Sequence, residues 1–190
     1  MRSLVLIVML SCSALLHAAD LSQPHILVAK PELRDALFGS SILVVKPVGD
    51  NQHVGFIMNR PTPVTLGKLF PEHVPSQKIV DPVYLGGPVD AQAIFALVER
   101  DDSPGGNSVE LLPGLYLAFE GPIVDSIIES GADHARFFAG LVVWRPGELA
   151  DEVKQGAWYV LEPDAELAMG KPEGLWEELV RRSRVSRDAI

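Results

Sequence analysis

The stretch "VGFIMNRPTPVTLGKLFP" (residues 54–71) passes from an apolar strand to the start of a helix through a polar corner. Pro61 restricts the residue before it, Arg60, to extended geometry, so the strand cannot turn directly into a helix. Asn59 ends the strand, where its side chain can bond to nearby backbone groups. Thr65 is placed to act as the N-cap of the helix. The corner therefore either shapes the chain or presents Asn59 and Arg60 to a ligand.

A second turn, "LGGPV" (85–89), follows another apolar run. Its adjacent glycines, Gly86 and Gly87, permit positive φ or a close approach of two backbones. We expect the two turns to meet in space as one rigid node of a curved sheet, where exposed backbone N–H groups can cradle a small anion, with Arg60 supplying positive charge. The structural alternative is a tight crossing that only glycine fits, with Arg60 held by a carboxylate. We expect the structural role to come first, and Asn59, Arg60, Gly86 and Gly87 remain the candidate ligand-binding residues.

Short apolar runs bounded by Gly, Pro, Asn and Asp recur along the chain and predict strands. "GDNQ" (49–52) predicts a hairpin between two of them, and "DDSPGGN" (101–107) predicts a second, exposed hairpin loop. The predicted strands lie at residues 25–30, 41–47, 54–59, 82–87, 93–99, 108–112, 115–119, 137–144 and 157–162.

Helices are predicted to be fewer and shorter, at 121–131, 146–156 and 173–184, besides the one that begins near Thr65. In the last of them Leu175, Trp176, Leu179 and Val180 are expected to face inward. Runs of strands interrupted by irregularly spaced helices indicate an α+β fold rather than a doubly wound parallel sheet. With no repeat and no low-complexity linker, residues 20–190 are predicted to form a single domain.

The N-terminus has the layout of a secretory signal peptide, with Arg2, a short apolar run and small residues up to Ala19. We therefore predict a leader at residues 1–19 and a periplasmic or secreted protein with no membrane span after cleavage. A lipoprotein anchored at Cys12 and an uncleaved N-terminal anchor are the alternatives. Cys12 is the only cysteine, so cleavage near Ala19 would leave no disulfide or thiol chemistry.

The full chain is acidic, with 25 acidic against 16 basic residues and a net charge of −9, and removal of Arg2 with the leader would make it −10. Such a chain repels nucleic acid on average, and no nucleic-acid partner is predicted. No nucleophile elbow, metal-ligand spacing or nucleotide-binding loop occurs, so no catalytic residue, metal or cofactor is predicted. The enzymatic alternative is acid–base chemistry that combines Glu148 and Glu152 with one loop histidine, chosen from His25, His53, His73 and His134.

Three motifs in order resemble the AlgH-like (YqgE-type) family of small bacterial proteins. The first is "VGFIMNRP" (54–61), and the second is "VYLGGPV" (83–89). The third is "GLVVWRPGELADEV" (140–153) followed by "AWYVLEPD" (157–164). The opening "HILVAKPELRDALFGSSILVV" (25–45) is also similar to the start of that family, and the resemblance runs from about His25 to Trp176.

The resemblance implies an α+β fold whose bent mixed or antiparallel sheets form a pseudo-barrel with a few short helices. It implies little about activity, because the family takes its name from an association with regulation of alginate production. This chain departs from the family pattern at Val98, Val143, Arg145 and Glu148, and also in having a leader.

We therefore expect a non-catalytic regulatory or binding protein, monomeric, whose partner is an unidentified protein or a small anionic ligand. A structural interaction module of the cell envelope is a further alternative.

Overall fold

Ten strands make up one sheet in the computed structural model, which describes residues 20–130 and 132–188. The predicted leader (1–19) and Gly131 lie outside the described residues. The strands are β1 His25–Ala29, β2 Ile42–Gly49, β3 Gln52–Ile57, β4 Pro61–Thr65, β5 Pro82–Leu85, β6 Val89–Glu99, β7 Val109–Leu112, β8 Leu115–Ala118, β9 Ala135–Trp144 and β10 Trp158–Leu161.

The strand order is β10-β1-β2-β3-β9-β6-β8-β7, and every neighbouring pair in this path is antiparallel. β4 and β5 branch from the path, since β4 pairs with β5 and β5 runs parallel to β9 through Tyr84 and Phe138. β9 therefore lies beside β3, β5 and β6, and it joins the two halves of the sheet.

The sheet curls until its β7 end approaches β2, which makes a half-barrel. The Lys46 ammonium on β2 donates a hydrogen bond to the backbone carbonyl of Glu110 on β7. In the described part of the chain no backbone ladder joins these two strands. We call this line of approach the seam. Because a side chain rather than a ladder spans the seam, the barrel is open there.

Alternating side chains along β1 and β2 build two core layers, as the period of two in a strand requires. Ile26 and Val44 point into the curl, where they join an aromatic cluster around Phe56 and Phe138. Leu27 and Leu43 point to the opposite face and pack with Trp144 and Trp158. A third apolar layer, on the outer face of β6 and β8, packs against the helix at residues 121–129.

The helices are α1 Leu66–Leu69, α2 Gly121–Glu129, α3 Glu148–Gln155, α4 Ala165–Met169 and α5 Leu175–Asp188, with a 3-10 turn at Val74–Lys78. α4 and α5 pack on the core layer inside the curl, to which Ala168 and Leu179 belong. α5 covers β1, and the indole of Trp176 donates to the Ala29 carbonyl at 2.8 Å. Leu179 and Val180 of the same helix are buried, as its sequence periodicity predicted. In the described residues no helix is long and apolar enough to cross a membrane.

The predicted α+β fold of bent sheets is confirmed, and so is the hairpin at 49–52. Asp50 and Asn51 both adopt positive φ, 47° and 57°, as the two-residue turn between β2 and β3 requires. The hairpin predicted at 101–107 is wrong. β6 pairs with β8 rather than β7, so this loop connects two strands that are not neighbours.

Candidate functional site

Asn59, at the end of β3, binds the loop that precedes β2. Its side-chain oxygen accepts from the Ile42 N–H at 2.9 Å, and its amide nitrogen donates to the Ser40 carbonyl at 2.9 Å. Ser40 adopts a φ of 58°, uncommon for a residue with a side chain, and the Asn59 bond holds its carbonyl in place. Asn59 therefore fixes the entry of the chain into β2.

Arg60 binds the same loop. Its guanidinium Nη2 donates to the carbonyls of Leu37 at 3.1 Å and Gly39 at 2.6 Å. No carboxylate forms an ion pair with it in the part of the chain that the structure describes, so the expected carboxylate partner is replaced by backbone carbonyls. The half-buried charge is thereby satisfied within the chain.

The two turns meet, as the sequence predicted. The Leu85 N–H donates to the Arg60 carbonyl at 2.8 Å, and the Ile57 N–H donates to the Gly86 carbonyl at 2.9 Å. The Gly86 N–H donates to the Ala139 carbonyl at 2.9 Å. The amide that was a candidate anion donor is therefore engaged in the sheet.

The glycines are required by the crossing of the β5–β6 turn over β9. A Cβ on Gly86 would lie 2.2 Å from the Gly140 carbonyl oxygen, and one on Gly87 would lie 2.2 Å from the Leu141 carbonyl carbon. Because both neighbours are backbone atoms, no side-chain movement can relieve the overlap. We call this contact of Gly86 and Gly87 with β9 the glycine crossing.

We predict that Arg60→Met lowers the free energy of unfolding by about 2 kcal/mol, because two carbonyls lose a charge-assisted donor. Urea denaturation measures the change, with Arg34→Met, at an exposed arginine near the same loop, as control. A ligand-binding role for Arg60 would require that inorganic phosphate stabilise the wild-type protein, and that Arg60→Met remove this stabilisation without changing the stability measured in its absence.

The carboxylates of the enzymatic alternative have structural partners. Glu152 Oε2 accepts from the indole nitrogens of Trp144 at 3.1 Å and Trp158 at 2.7 Å. Glu148 Oε2 accepts from the Arg145 N–H at 2.9 Å, at the start of α3. His53 pairs with Trp144 in the sheet, but its Nε2 bonds to the Leu21 carbonyl. These contacts hold α3 and the N-terminal segment against the sheet.

Sequence reasoning missed Arg136, which lies inside the apolar run of β9. Its guanidinium donates to four carbonyls, those of Met58, Ala168, Met169 and Gly170, at 2.8–3.4 Å. It also stacks over the Tyr84 ring at 4.6 Å, and burial lowers the pKa of Arg136 below its usual value. The sequence signal for this role was the position of Arg136 directly before the apolar run "FFAGLVVW" (137–144), where an arginine is expected to be at least partly buried. Arg136 braces the end of α4 against the sheet.

The open end of the half-barrel contains an apolar cleft of about 450 Å³ that sequence reasoning also missed. Its walls are the β2–β3 hairpin on one side and β6, β7 and β8 on the other. We call it the mouth cleft. Ten of its lining residues are apolar and two are charged, Lys46 and Asp90; the apolar ones include Val48, Phe56, Phe95, Val109, Leu117 and Phe119.

A distortion of β6 forms part of the rim of the mouth cleft. The register with β9 shifts between Val89 and Ile94, so the intervening residues leave the ladder. Within this bulge Asp90 adopts a φ of 50°, a backbone conformation that is uncommon for a residue with a side chain. Bulges and strained residues are over-represented beside functional sites, which makes this rim a candidate for one.

Among the side chains that the structure describes, no three His, Asp or Glu residues are grouped to hold a metal ion.

The curled sheet, the glycine crossing and the open mouth define a strand-rich α+β domain of the half-barrel type. The AlgH-like family profile matches residues 26–187 of the chain. The protein therefore belongs to the AlgH-like family, as its three motifs predicted.

Two relatives in this family have names that state no activity. The chain is 32% identical over 168 residues to UPF0301 protein SCO2948 of Streptomyces coelicolor, covering 84% of this chain and 86% of the relative. It is 31% identical over 162 residues to a UPF0301 protein of Myxococcus xanthus, covering 83% and 88%.

Two solved structures share the fold at 23% sequence identity each. One is the crystal structure of DIP2367 from Corynebacterium diphtheriae, with a TM-score of 0.68 and coverage of 85% of this chain and 86% of that one. The other is the solution structure of AlgH from Pseudomonas aeruginosa, with a TM-score of 0.67 and coverage of 89% and 87%. At this identity the likeness extends to the fold alone.

Proposed function

We propose that the protein is a non-catalytic binding protein whose ligand is a small, largely apolar molecule held in the mouth cleft. The observation that carries this proposal is the open apolar cleft at the end of a curled sheet. Small-molecule sites are concave, mostly apolar, often about 300–1,000 Å³ in volume, and occur in the mouths of β-barrels. The mouth cleft, at about 450 Å³, has each of these properties.

Exposed apolar side chains at the rim support a binding role. Val48 is 52% exposed, Phe119 is 42% exposed and Val109 is 38% exposed, although all three line the cleft. When a ligand covers apolar surface in a concave site, removal of that surface from water contributes favourably to the free energy of binding. Deeper in the cleft, Phe56 and Phe95 contact each other edge to face at 5.5 Å and form an apolar floor.

The same lining favours binding over catalysis. Lys46 and Asp90 are the ionisable residues that line the cleft, and Asp90 is exposed at its rim. General acid–base chemistry places a donor and an acceptor within hydrogen-bond reach of one reacting group. The candidate acids Glu148 and Glu152 lie instead at α3, where they bond to backbone and indole N–H groups.

We predict that Phe119→Asp weakens binding of the neutral fluorescent probe N-phenylnaphthylamine at least tenfold, because a charge then lies in the apolar wall. The matched control is Phe70→Asp. Phe70 is also 42% exposed, but it follows α1, outside the cleft. Fluorescence titration gives the affinities, and circular dichroism establishes that both variants are folded.

Two results would contradict this assignment of the site. One is equal loss of probe binding in Phe119→Asp and Phe70→Asp. The other is wild-type protein that fails to enhance probe fluorescence at any concentration tested.

A further inference from the structure

We propose that the ligand of the mouth cleft is an amphipathic anion, an apolar chain with a carboxylate or similar acidic head group that binds Lys46. This inference rests on the proposed function, since it assigns a chemical class to the ligand of the same cleft. The distinctive feature is a lysine with spare hydrogen-bonding capacity between an apolar site and the seam.

Lys46 is half-buried on β2 and lines the mouth cleft. Its ammonium donates to the Glu110 carbonyl, an interaction that uses one of its three N–H donors. The Glu110 carboxylate accepts instead from the Gly114 N–H at 3.1 Å, in the turn between β7 and β8. No ion pair is formed by Lys46 within the residues that the structure describes.

A half-buried lysine residue whose ammonium has no carboxylate ion-pair partner among the described residues favours an anion at that position. Attraction between opposite charges grows as water is excluded, and an apolar cleft excludes water once a chain fills it. A carboxylate on an ammonium also makes a charge-assisted hydrogen bond, which is stronger than a neutral one. The head group can therefore be held at Lys46 while the Glu110 carbonyl keeps its bond to the same nitrogen.

The seam gives the head group access. β2 and β7 are joined there by the Lys46 side chain rather than by a ladder, in the part of the chain described. A ligand whose tail lies among Phe56, Phe95 and Leu117 can place its polar end at this gap. At the seam the charged end keeps part of its hydration, so its desolvation cost is smaller than among the apolar residues, while water is excluded only on the side of the cleft.

Glu110 and Glu162 line a second pocket that also contains Lys46. Within the mouth cleft itself Asp90 is the competing group, since its carboxylate lies on the rim contributed by β6. It would repel an acidic head group and attract an amine. Asp90 is exposed, whereas Lys46 is half-buried, and a solvent-exposed charge is screened more strongly than a partly buried one. The geometry therefore favours an anion over a cation, and the experiment includes both.

The test uses three probes with the same apolar chain and different head groups: decanoate, decanol and decylamine. Each displaces N-phenylnaphthylamine from protein purified from cells that express the full-length chain. We expect decanoate to bind roughly tenfold more tightly than decanol, which corresponds to one charge-assisted hydrogen bond. Lys46→Met should remove this preference while decanol binding is retained, and Lys46→Arg should restore part of it.

Lys68→Met is the matched control. Lys68 also donates its ammonium to a backbone carbonyl, that of Pro63 at 3.3 Å, but it lies on α1 outside the cleft. Its replacement should leave the decanoate preference unchanged. Asp90→Asn should leave decanoate binding equal or tighter, since it removes the repelling carboxylate.

The outcomes separate this inference from the proposed function. Equal affinity for the three probes, with no effect of Lys46→Met, would overturn the inference and leave the apolar site intact. Preference for decylamine that Asp90→Asn abolishes would overturn it in favour of a cationic ligand. Failure of decanol and the neutral probe to bind would overturn the proposed function, and the inference with it.

Discussion

Gly87→Ala is expected to cost about 4 kcal/mol or more in the free energy of unfolding, or to prevent folding altogether. A Cβ at this position would lie 2.2 Å from the carbonyl carbon and 2.3 Å from the carbonyl oxygen of Leu141, and 2.6 Å from the Val142 nitrogen. All three atoms are backbone, so the β5–β6 turn and β9 would have to separate. That movement would strain the hydrogen bond from the Gly86 N–H to the Ala139 carbonyl.

The control for Gly87→Ala is Gly121→Ala at the first residue of α2. Apart from its chain neighbours and the backbone of its own helix, nothing in the described structure lies within 4 Å of a Cβ built on Gly121. Alanine is favoured over glycine in a helix, so this variant should be neutral or more stable by about 0.5 kcal/mol. Circular dichroism and urea denaturation compare the two. Wild-type stability in Gly87→Ala would show that the crossing tolerates a side chain.

Arg136→Met is expected to lower the free energy of unfolding by about 3 kcal/mol, because it leaves buried carbonyls without their shared donor. This one guanidinium donates hydrogen bonds to four carbonyls. Three of these carbonyls belong to Ala168, Met169 and Gly170, at the end of α4. Arg136→Lys should recover only part of the loss, since an ammonium cannot match the planar fork.

The reference for the Arg136 variants is Arg100→Met, at an exposed arginine just after β6. A surface substitution of this kind should change stability by less than about 0.5 kcal/mol. Urea denaturation measures all three variants. If Arg136→Met matched Arg100→Met, the bonds to the end of α4 would contribute little, and α4 would depend on its apolar contacts instead.

Local patterns predicted most strands because each is a short apolar run bounded by turn residues. They missed β4, whose sequence "PTPVT" (61–65) contains two prolines that cannot donate to a ladder. They also missed α4, which is five residues long and is preceded by its N-cap Asp164, whose carboxylate accepts from the Leu167 N–H. The order of β6, β8 and β7 in the sheet depends on long-range pairing, which turn chemistry at 101–107 does not encode.

The sequence predicted that the corner at Asn59 and Arg60 would meet Gly86 and Gly87, and the structure places them together. It could not predict the partners of Arg60, because Leu37 and Gly39 lie in a distant loop that contains no acidic contact for it. The sequence could not predict the mouth cleft either. Alternation of apolar and polar residues along a strand identifies the inward-facing residues, but it does not determine how far the sheet curls.

The position of β9 in the sheet has a consequence for synthesis of the protein. β3 and β6 acquire a common neighbour only when residues 135–144 are available, because no strand within residues 20–130 pairs with both of them. A nascent chain must therefore keep three separate sets of strands, β1 to β3, β4 with β5, and β6 to β8, with unpaired edges until about three quarters of it has been made. Contacts this distant in sequence slow folding and lengthen the interval in which chaperones can bind those edges.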